Sequence, residues 1–173
     1  MTDISRPPGT PIELVTISTP SAWVVRFAPL VPTGGAVMDV ACGGGRHSRL
    51  FAERGHPVLA MDRDINKLGD VANLDLVTGV AADLEYTAPL EAAGQNFSGI
   101  VVTNYRSDNL IKVLAGALVP GGVLIYETFA IGNERFGRPN NPDFLLKPDE
   151  LLEECMAENL TIIAYEHGDV ETP

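Results

Sequence analysis

Positive charge is scarce in this chain: 12 Lys and Arg stand against 23 Asp and Glu, a formal net charge of −11 over 173 residues. Such a surface repels a phosphate backbone, and no run of Lys or Arg offsets it, so nucleic acid is not an expected partner. Cysteine is nearly absent. Cys42 and Cys155 lie far apart in sequence, which supports neither a disulfide framework nor a Cys/His metal cluster, and no metal is expected. A reducing, cytoplasmic location follows. No apolar run approaches the ~20 residues of a membrane helix, so no membrane partner is expected. A secretory leader is missing too: residues 1–20 read as a flexible arm, polar and broken by Pro7, Pro8 and Pro11. Nor is there an internal repeat, or the G-x-x-x-x-G-K-[ST] of a phosphate-loop NTPase.

What remains is the balance of one soluble domain, 45% hydrophobic and 20% charged, expected over residues 21–173. Ser21 is a good N-cap for a short helix to Phe27, stopped by Pro29 and Pro32. Residues 36–41 form a strand that runs into Cys42-Gly43-Gly44-Gly45, followed by a helix over 46–54 and a second strand over 57–61. A helix over 64–71 and a third strand over 76–82 continue the alternation. Residues 84–96 are a loop with room for one helical turn. The fourth strand, 98–103, is nearly all apolar, as expected of one covered on both faces. A helical stripe follows over 107–118, then a fifth strand over 123–129. Residues 130–147 lack periodicity, and a connection this long in a compact domain is often a functional lid. Pro148 opens a helix, and 160–166 reads as a sixth strand. Strands interleaved with helices indicate a three-layered α/β doubly wound sheet, mostly parallel. Ligands of such sheets bind beyond the carboxyl ends of the strands. The candidate positions are therefore Asp39 with its Gly loop, Asp62, Asp83, Asn104 and Glu127.

Three consecutive glycines after a buried strand let a ligand approach backbone closely, while the next helix offers unpaired N–H groups. The dinucleotide fingerprint G-x-G-x-x-G reads Gly43, Gly45 and then Ser48, so its third glycine is missing. Asp39 also brings negative charge toward any pyrophosphate. A cofactor with a cationic amine and a sulfonium tolerates that carboxylate better, which favours S-adenosylmethionine over a nicotinamide dinucleotide.

At this point the chain resembles the class I S-adenosylmethionine-dependent methyltransferases, from about Trp23 to the C-terminus. The resemblance rests on Asp39-Val40-Ala41-Cys42-Gly43-Gly44-Gly45, then Asp62, Asp83-Leu84, Asn104-Tyr105 and Pro120-Gly121-Gly122 in that order. Within the class it is similar to small bacterial enzymes related to tellurite-resistance methyltransferases. Glu127-Thr128-Phe129, Gly132-Asn133-Glu134-Arg135-Phe136 and Asn141-Pro142-Asp143-Phe144 carry that narrower likeness. The resemblance implies a Rossmann-like methyltransferase fold and S-adenosylmethionine as cofactor. It implies that Ala41, Gly43 and Gly45 bring backbone against the methionine part and that Asp39 reaches its ammonium. Asp62 would take the ribose hydroxyls, Arg63 would lie beside the adenine, Asp83 would take the adenine amino group, and Leu84 would pack on the ring. Asn104 and Tyr105 would flank the zone of methyl transfer.

Several of these residues have plainer readings. Asp62 and Asp83 also fit loop-starting Asx turns, and Tyr105 and Trp23 fit packing aromatics. Transfer from a sulfonium needs in-line placement of the nucleophile more than acid–base help. If the nucleophile is protonated, Glu127, Tyr105 or His47 is near enough to take the proton, although His47 is expected to be a solvated surface residue. Arg26 and Arg46 are alternatives for the cofactor carboxylate. Arg135 and Arg138, in the 130–147 loop, suit an anionic acceptor, so the expected substrate is a small molecule or small anion. The expected assembly is a monomer or homodimer.

The resemblance implies seven strands, the last antiparallel, whereas six are counted. The expected fold therefore lacks the final antiparallel strand. A truncated chain, a strand from residues 12–17 and completion by another chain are the alternatives. Three functions stay open: methyl transfer, nicotinamide-dependent oxidoreduction, and a catalytically inactive cofactor-binding fragment.

Overall fold

The computed structural model describes residues 19–169. The possible strand at 12–17 lies outside them. Five strands form one sheet in the order β3-β2-β1-β4-β5, every neighbouring pair parallel. They are β1 (Val37–Val40), β2 (Val58–Asp62), β3 (Val77–Ala81), β4 (Phe97–Thr103) and β5 (Leu118–Glu127). The helices are α1 (Ala22–Phe27), α2 (Arg46–Glu53), α3 (Ala88–Ala92), α4 (Leu110–Ala117) and α5 (Glu150–Ala157). This is the expected doubly wound α/β architecture in three layers. The sheet reverses its winding between β1 and β4, which is where such folds open a crevice at the carboxyl ends.

β1 lies at the centre, paired to β2 and β4 in register (Val40 opposite Met61 and Val102), and all four of its residues are buried. One core gathers Val24, Val37, Phe51, Leu68 and Val101 beneath α1, α2 and the 65–73 segment. A second gathers Met38, Leu90, Ile100, Leu110 and Leu114 beneath α3 and α4. The alternation of Val37 and Met38 between the two cores is the period-2 geometry of a strand covered on both faces.

Four expectations are corrected. The helix expected over 64–71 is a pair of short 3₁₀ turns over Ile65–Asn73, broken by Gly69, whose φ of 53° no right-handed helix continues. The helix expected over 107–118 is shortened to Leu110–Ala117, with Asn109 left-handed just before it. β5 starts at Leu118, because Pro120-Gly121-Gly122 is taken into the strand through an irregularity opposite Phe97 and Gly99. Residues 160–166 form no strand. They carry no regular structure and leave Ile163 65% exposed, since a hydrophobic pattern supplies no hydrogen-bonding neighbour by itself. Among the described residues the sheet thus stops at β5.

Candidate functional site

The carboxyl end of β1 is shaped by backbone conformation. Ala41 adopts φ 55°, a left-handed conformation that costs a non-glycine residue on the order of 1 kcal/mol, and Gly43 and Gly45 follow at 53° and 73°. The two glycines do different work. A Cβ on Gly45 would meet Leu68 at 2.6 Å and Val71 at 3.0 Å, so Gly45 exists to let α2 pack on the 65–73 segment. A Cβ on Gly43 would meet nothing within 4 Å. Gly43 is the glycine that faces open space.

Asp39 is buried. Its carboxyl is 1% exposed and accepts hydrogen bonds from the hydroxyl of Ser48 (2.6 Å) and from the Ser48 backbone, in the first turn of α2. Burial lifts its pKa from 3.8 to about 6, against the lowering effect of those bonds. Cys42 is buried beside it, and desolvation pushes the thiol far above its usual range, so it is no nucleophile.

Asp62, the last residue of β2, joins two strand ends. Its Oδ2 accepts the Gly43 N–H at 2.9 Å and its Oδ1 the Asp64 N–H at 2.9 Å, with Lys67 at 4.0 Å. The Asx turn expected as the plainer reading is present, and the bond to the Gly loop is added to it. Asp83 makes an Asx turn to the Glu85 N–H (3.2 Å) while staying exposed, and Leu84 beside it is buried. Arg63 is exposed and reaches Glu85 at 3.8 Å, across the ends of β2 and β3.

At the β4 and β5 ends, Asn104 is left-handed (φ 56°) and exposed, and its N–H donates to the Glu127 carbonyl at 2.9 Å. The Tyr105 hydroxyl donates to the Leu84 carbonyl, tying the loop after β4 to the loop after β3, and burial raises its pKa. Tyr126 in turn donates to the Tyr105 carbonyl at 2.7 Å. The carboxylate of Glu127 accepts the Ser21 hydroxyl.

His47 overturns its expectation. It is 1% exposed, on the same inward face of α2 as Phe51 one turn later. Its Nε2 accepts the Ser21 backbone N–H at 3.1 Å, and its Nδ1 lies 3.5 Å from the Thr103 hydroxyl. Desolvation, with the Arg46 charge in support, lowers its pKa to about 3, so the ring is neutral. The i, i+4 spacing of His47 and Phe51 was the available signal for this burial.

The 130–147 loop is folded, not open. Ala130 bridges Leu146, and two 3₁₀ turns cover Asn133–Arg135 and Pro142–Phe144. Arg135 is bound to both carboxylate oxygens of Asp169 and stacks on Phe136. Arg138 instead lines an open cleft of about 440 Å³ with Pro139, Asn140, Asn141 and Phe144. Sequence reasoning missed Arg106, which holds the loop in place: it donates to the Asp143 carbonyl (2.8 Å) and to Glu150 (2.6 Å). Arg26 is paired with Glu166 and stacked on Phe27, whereas Arg46 stays beside the Gly loop and donates to the Thr19 carbonyl at 3.1 Å. Among the described residues no helix is long and apolar enough to cross a membrane, and no group of three or more His, Cys, Asp or Glu is placed to hold a metal ion.

No family model and no curated protein sequence matches the chain. Solved structures do. A TehB-like SAM-dependent methyltransferase from Corynebacterium glutamicum superposes with a TM-score of 0.60 at 18% identity, covering 79% of this chain and 71% of that one. A SAM-dependent methyltransferase from Archaeoglobus fulgidus gives 0.59 at 15%, covering 78% and 65%. A protein connected with conversion of a disulfide bond into a thioacetal group in echinomycin biosynthesis gives 0.57 at 23%, covering 70% and 56%. The chain thus spans between 56% and 71% of the length of these structures. The fold is the Rossmann-like fold of SAM-dependent methyltransferases.

Proposed function

We propose that the chain binds S-adenosylmethionine at the Gly loop and transfers its methyl group to a small acceptor. The observation that carries this reading is the junction of Gly43 and Asp62. An unobstructed glycine at the end of β1 is hydrogen-bonded to a carboxylate at the end of β2. The residues present fit the cofactor. Open backbone at Gly43 accommodates its amino-acid part, and Arg46 lies one residue past Gly45 for its carboxylate. Asp62 presents oxygens toward vicinal hydroxyls, while Arg63, Asp83 and Leu84 line up at the next strand end for the base. The neighbouring structures named as SAM-dependent methyltransferases support the same cofactor.

When bound, the cofactor supplies a methyl group on a sulfonium whose departing thioether is neutral. The protein's part is placement. Asn104 and Tyr105 follow β4, next in the sheet to β1, and Glu127 ends β5 beyond it; together they offer a wall for an incoming nucleophile. A nucleophile held in line at ~3 to 3.5 Å needs little further help. Glu127 is the group available to accept a proton, because Tyr105 is occupied as a donor to Leu84 and His47 is buried with its Nε2 already accepting the Ser21 N–H. In the acceptor loop, Arg138 is the cation directed to a cleft, while Arg135 is neutralised by Asp169. This favours a small molecule or anion held by Arg138. The narrower relation to tellurite-resistance methyltransferases is supported by the loop sequence and by the Corynebacterium glutamicum neighbour.

The nicotinamide alternative is disfavoured by a structural detail. The first turn of α2, where a pyrophosphate would bind, is already capped by the Asp39 carboxyl through Ser48. Isothermal titration tests the proposal: micromolar binding of S-adenosylmethionine or S-adenosylhomocysteine is expected, and no heat with either would refute it. Binding without turnover over a panel of acceptors would leave the inactive-fragment reading in its place.

A further inference from the structure

We infer that His47 is a positioning residue: through Ser21 it docks α1 beside the Gly loop, and this docking and occupancy of the Gly-loop site favour each other. The inference rests on the methyl-donor reading above, and it assigns a role to a segment that reading leaves unused.

A backbone N–H only donates, so the Ser21 N–H at 3.1 Å requires an unprotonated Nε2 on His47. The neutral ring then carries its proton on Nδ1, facing the Thr103 hydroxyl. Ser21 is engaged twice more, since its hydroxyl donates to Glu127 and accepts the Trp23 N–H at 3.1 Å as the N-cap of α1. Two residues earlier, the Thr19 carbonyl accepts from Arg46. The entry to α1 is therefore held by Arg46 and His47, the first two residues of α2, and by Glu127 at the end of β5.

These anchors add to a small apolar contact, in which Val24 is buried and Trp23 and Phe27 pack half-buried against the core. The helix is six residues long, far below the length at which a helix persists alone. Arg46 and His47 directly follow Gly45, so the turn that ends the Gly loop is the same turn that grips α1. If α1 leaves, a buried imidazole acceptor loses its partner and the first turn of α2 must readjust. A ligand that favours the ordered turn therefore also favours docked α1, and the linkage is reciprocal.

Trp23 is the only tryptophan and sits on α1, so its emission reports docking. The variants are H47L, which removes the acceptor, and H47Q, which keeps one at similar reach. L114A serves as a control that destabilises the opposite face. Expected results are a red-shifted Trp23 emission in ligand-free H47L and its return toward the wild-type position at saturating S-adenosylhomocysteine. Affinity for that ligand should fall about tenfold in H47L, within the usual range of coupling between sites, and stay within about threefold in H47Q. L114A should keep the wild-type emission and affinity despite lower stability. Wild-type emission in H47L, or an equal loss of affinity in H47L, H47Q and L114A, overturns the role of His47. If H47L shifts in emission but binds as the wild type does, the coupling is overturned alone. If the wild type itself does not bind the ligand, the methyl-donor reading fails and the coupling with it.

Discussion

The two ends of this sheet are built differently. Around β1, β2 and α2 three buried or half-buried polar contacts hold the strand ends: Asp39 with Ser48, Gly43 with Asp62 and His47 with Ser21. Beyond β5, apart from the half-buried Arg106–Glu150 pair, the ties lie on the surface. Arg135–Asp169 and Arg26–Glu166 are exposed ion pairs, and Phe136, Phe144 and Ile163 are more than half exposed. Loops on the rim of a rigid scaffold tolerate variation that a buried, hydrogen-bonded cradle does not. The proposed division, with the cofactor at the Gly loop and the acceptor at the 130–147 segment, follows this difference.

The largest test of this contrast compares two phenylalanines. Phe51, fully buried on the inward face of α2, should cost about 3–5 kcal/mol on F51A, while the 69%-exposed Phe136 should change stability by less than about 0.5 kcal/mol on F136A. Chemical denaturation measures both.

Next in size is the pH dependence of the buried pair. His47 has its folded pKa lowered from 6.5 to about 3, so it contributes stability fully above about pH 6.5 that is lost as pH falls toward 3. Asp39 has its folded pKa raised from 3.8 to about 6, so its contribution is present below 3.8 and is lost as pH rises through 6. Between pH 7 and 4 the two oppose each other at roughly 2–3 kcal/mol each. D39N should therefore lose stability more steeply on acidification than the wild type, and H47Q less steeply. Denaturant midpoints at the two pH values decide it, and equal slopes in all three proteins would refute the assignment.

D62A should weaken binding of S-adenosylhomocysteine by about 10- to 100-fold, the scale of one or two hydrogen bonds to a charged group. Calorimetric titration reads this, and an unchanged affinity would move the cofactor site elsewhere. R106Q should lower stability by about 1–2 kcal/mol, since the ion pair with Glu150 is only partly solvated, and should expose the 130–147 loop to limited proteolysis. The smallest effect is expected for R135A, below about 0.5 kcal/mol, because both partners of its ion pair are more than half exposed. A large effect there would erase the contrast between the two ends.

Much of the cofactor end was readable from the sequence because local rules govern it. Apolar runs of strand length, Gly43 and Gly45 after a strand, and an Asp at each strand end follow from short-range patterning. Ser21 was legible as an N-cap for the same reason. His47 was misread: a histidine after a Gly loop looks solvated, and only the approach of a segment 26 residues earlier gives its ring a partner. The strand expected over 160–166 failed because pairing depends on a neighbour that no local pattern specifies. Arg106 carried no signal, as its partners lie 37 and 44 residues away.

The sequence by itself determined the alternation of strands and helices, the parallel sheet and the row of acidic residues at the strand ends, including the Asp62 that meets the Gly loop. Those features depend on the periodicity of burial and on backbone conformations special to glycine, which are properties of short stretches. Only the tertiary structure decided which of two glycines faces open space, which of two loop arginines lines a cleft, and that His47 supports α1. Each of those outcomes depends on what a distant part of the chain places within a few ångströms, and that is set by packing.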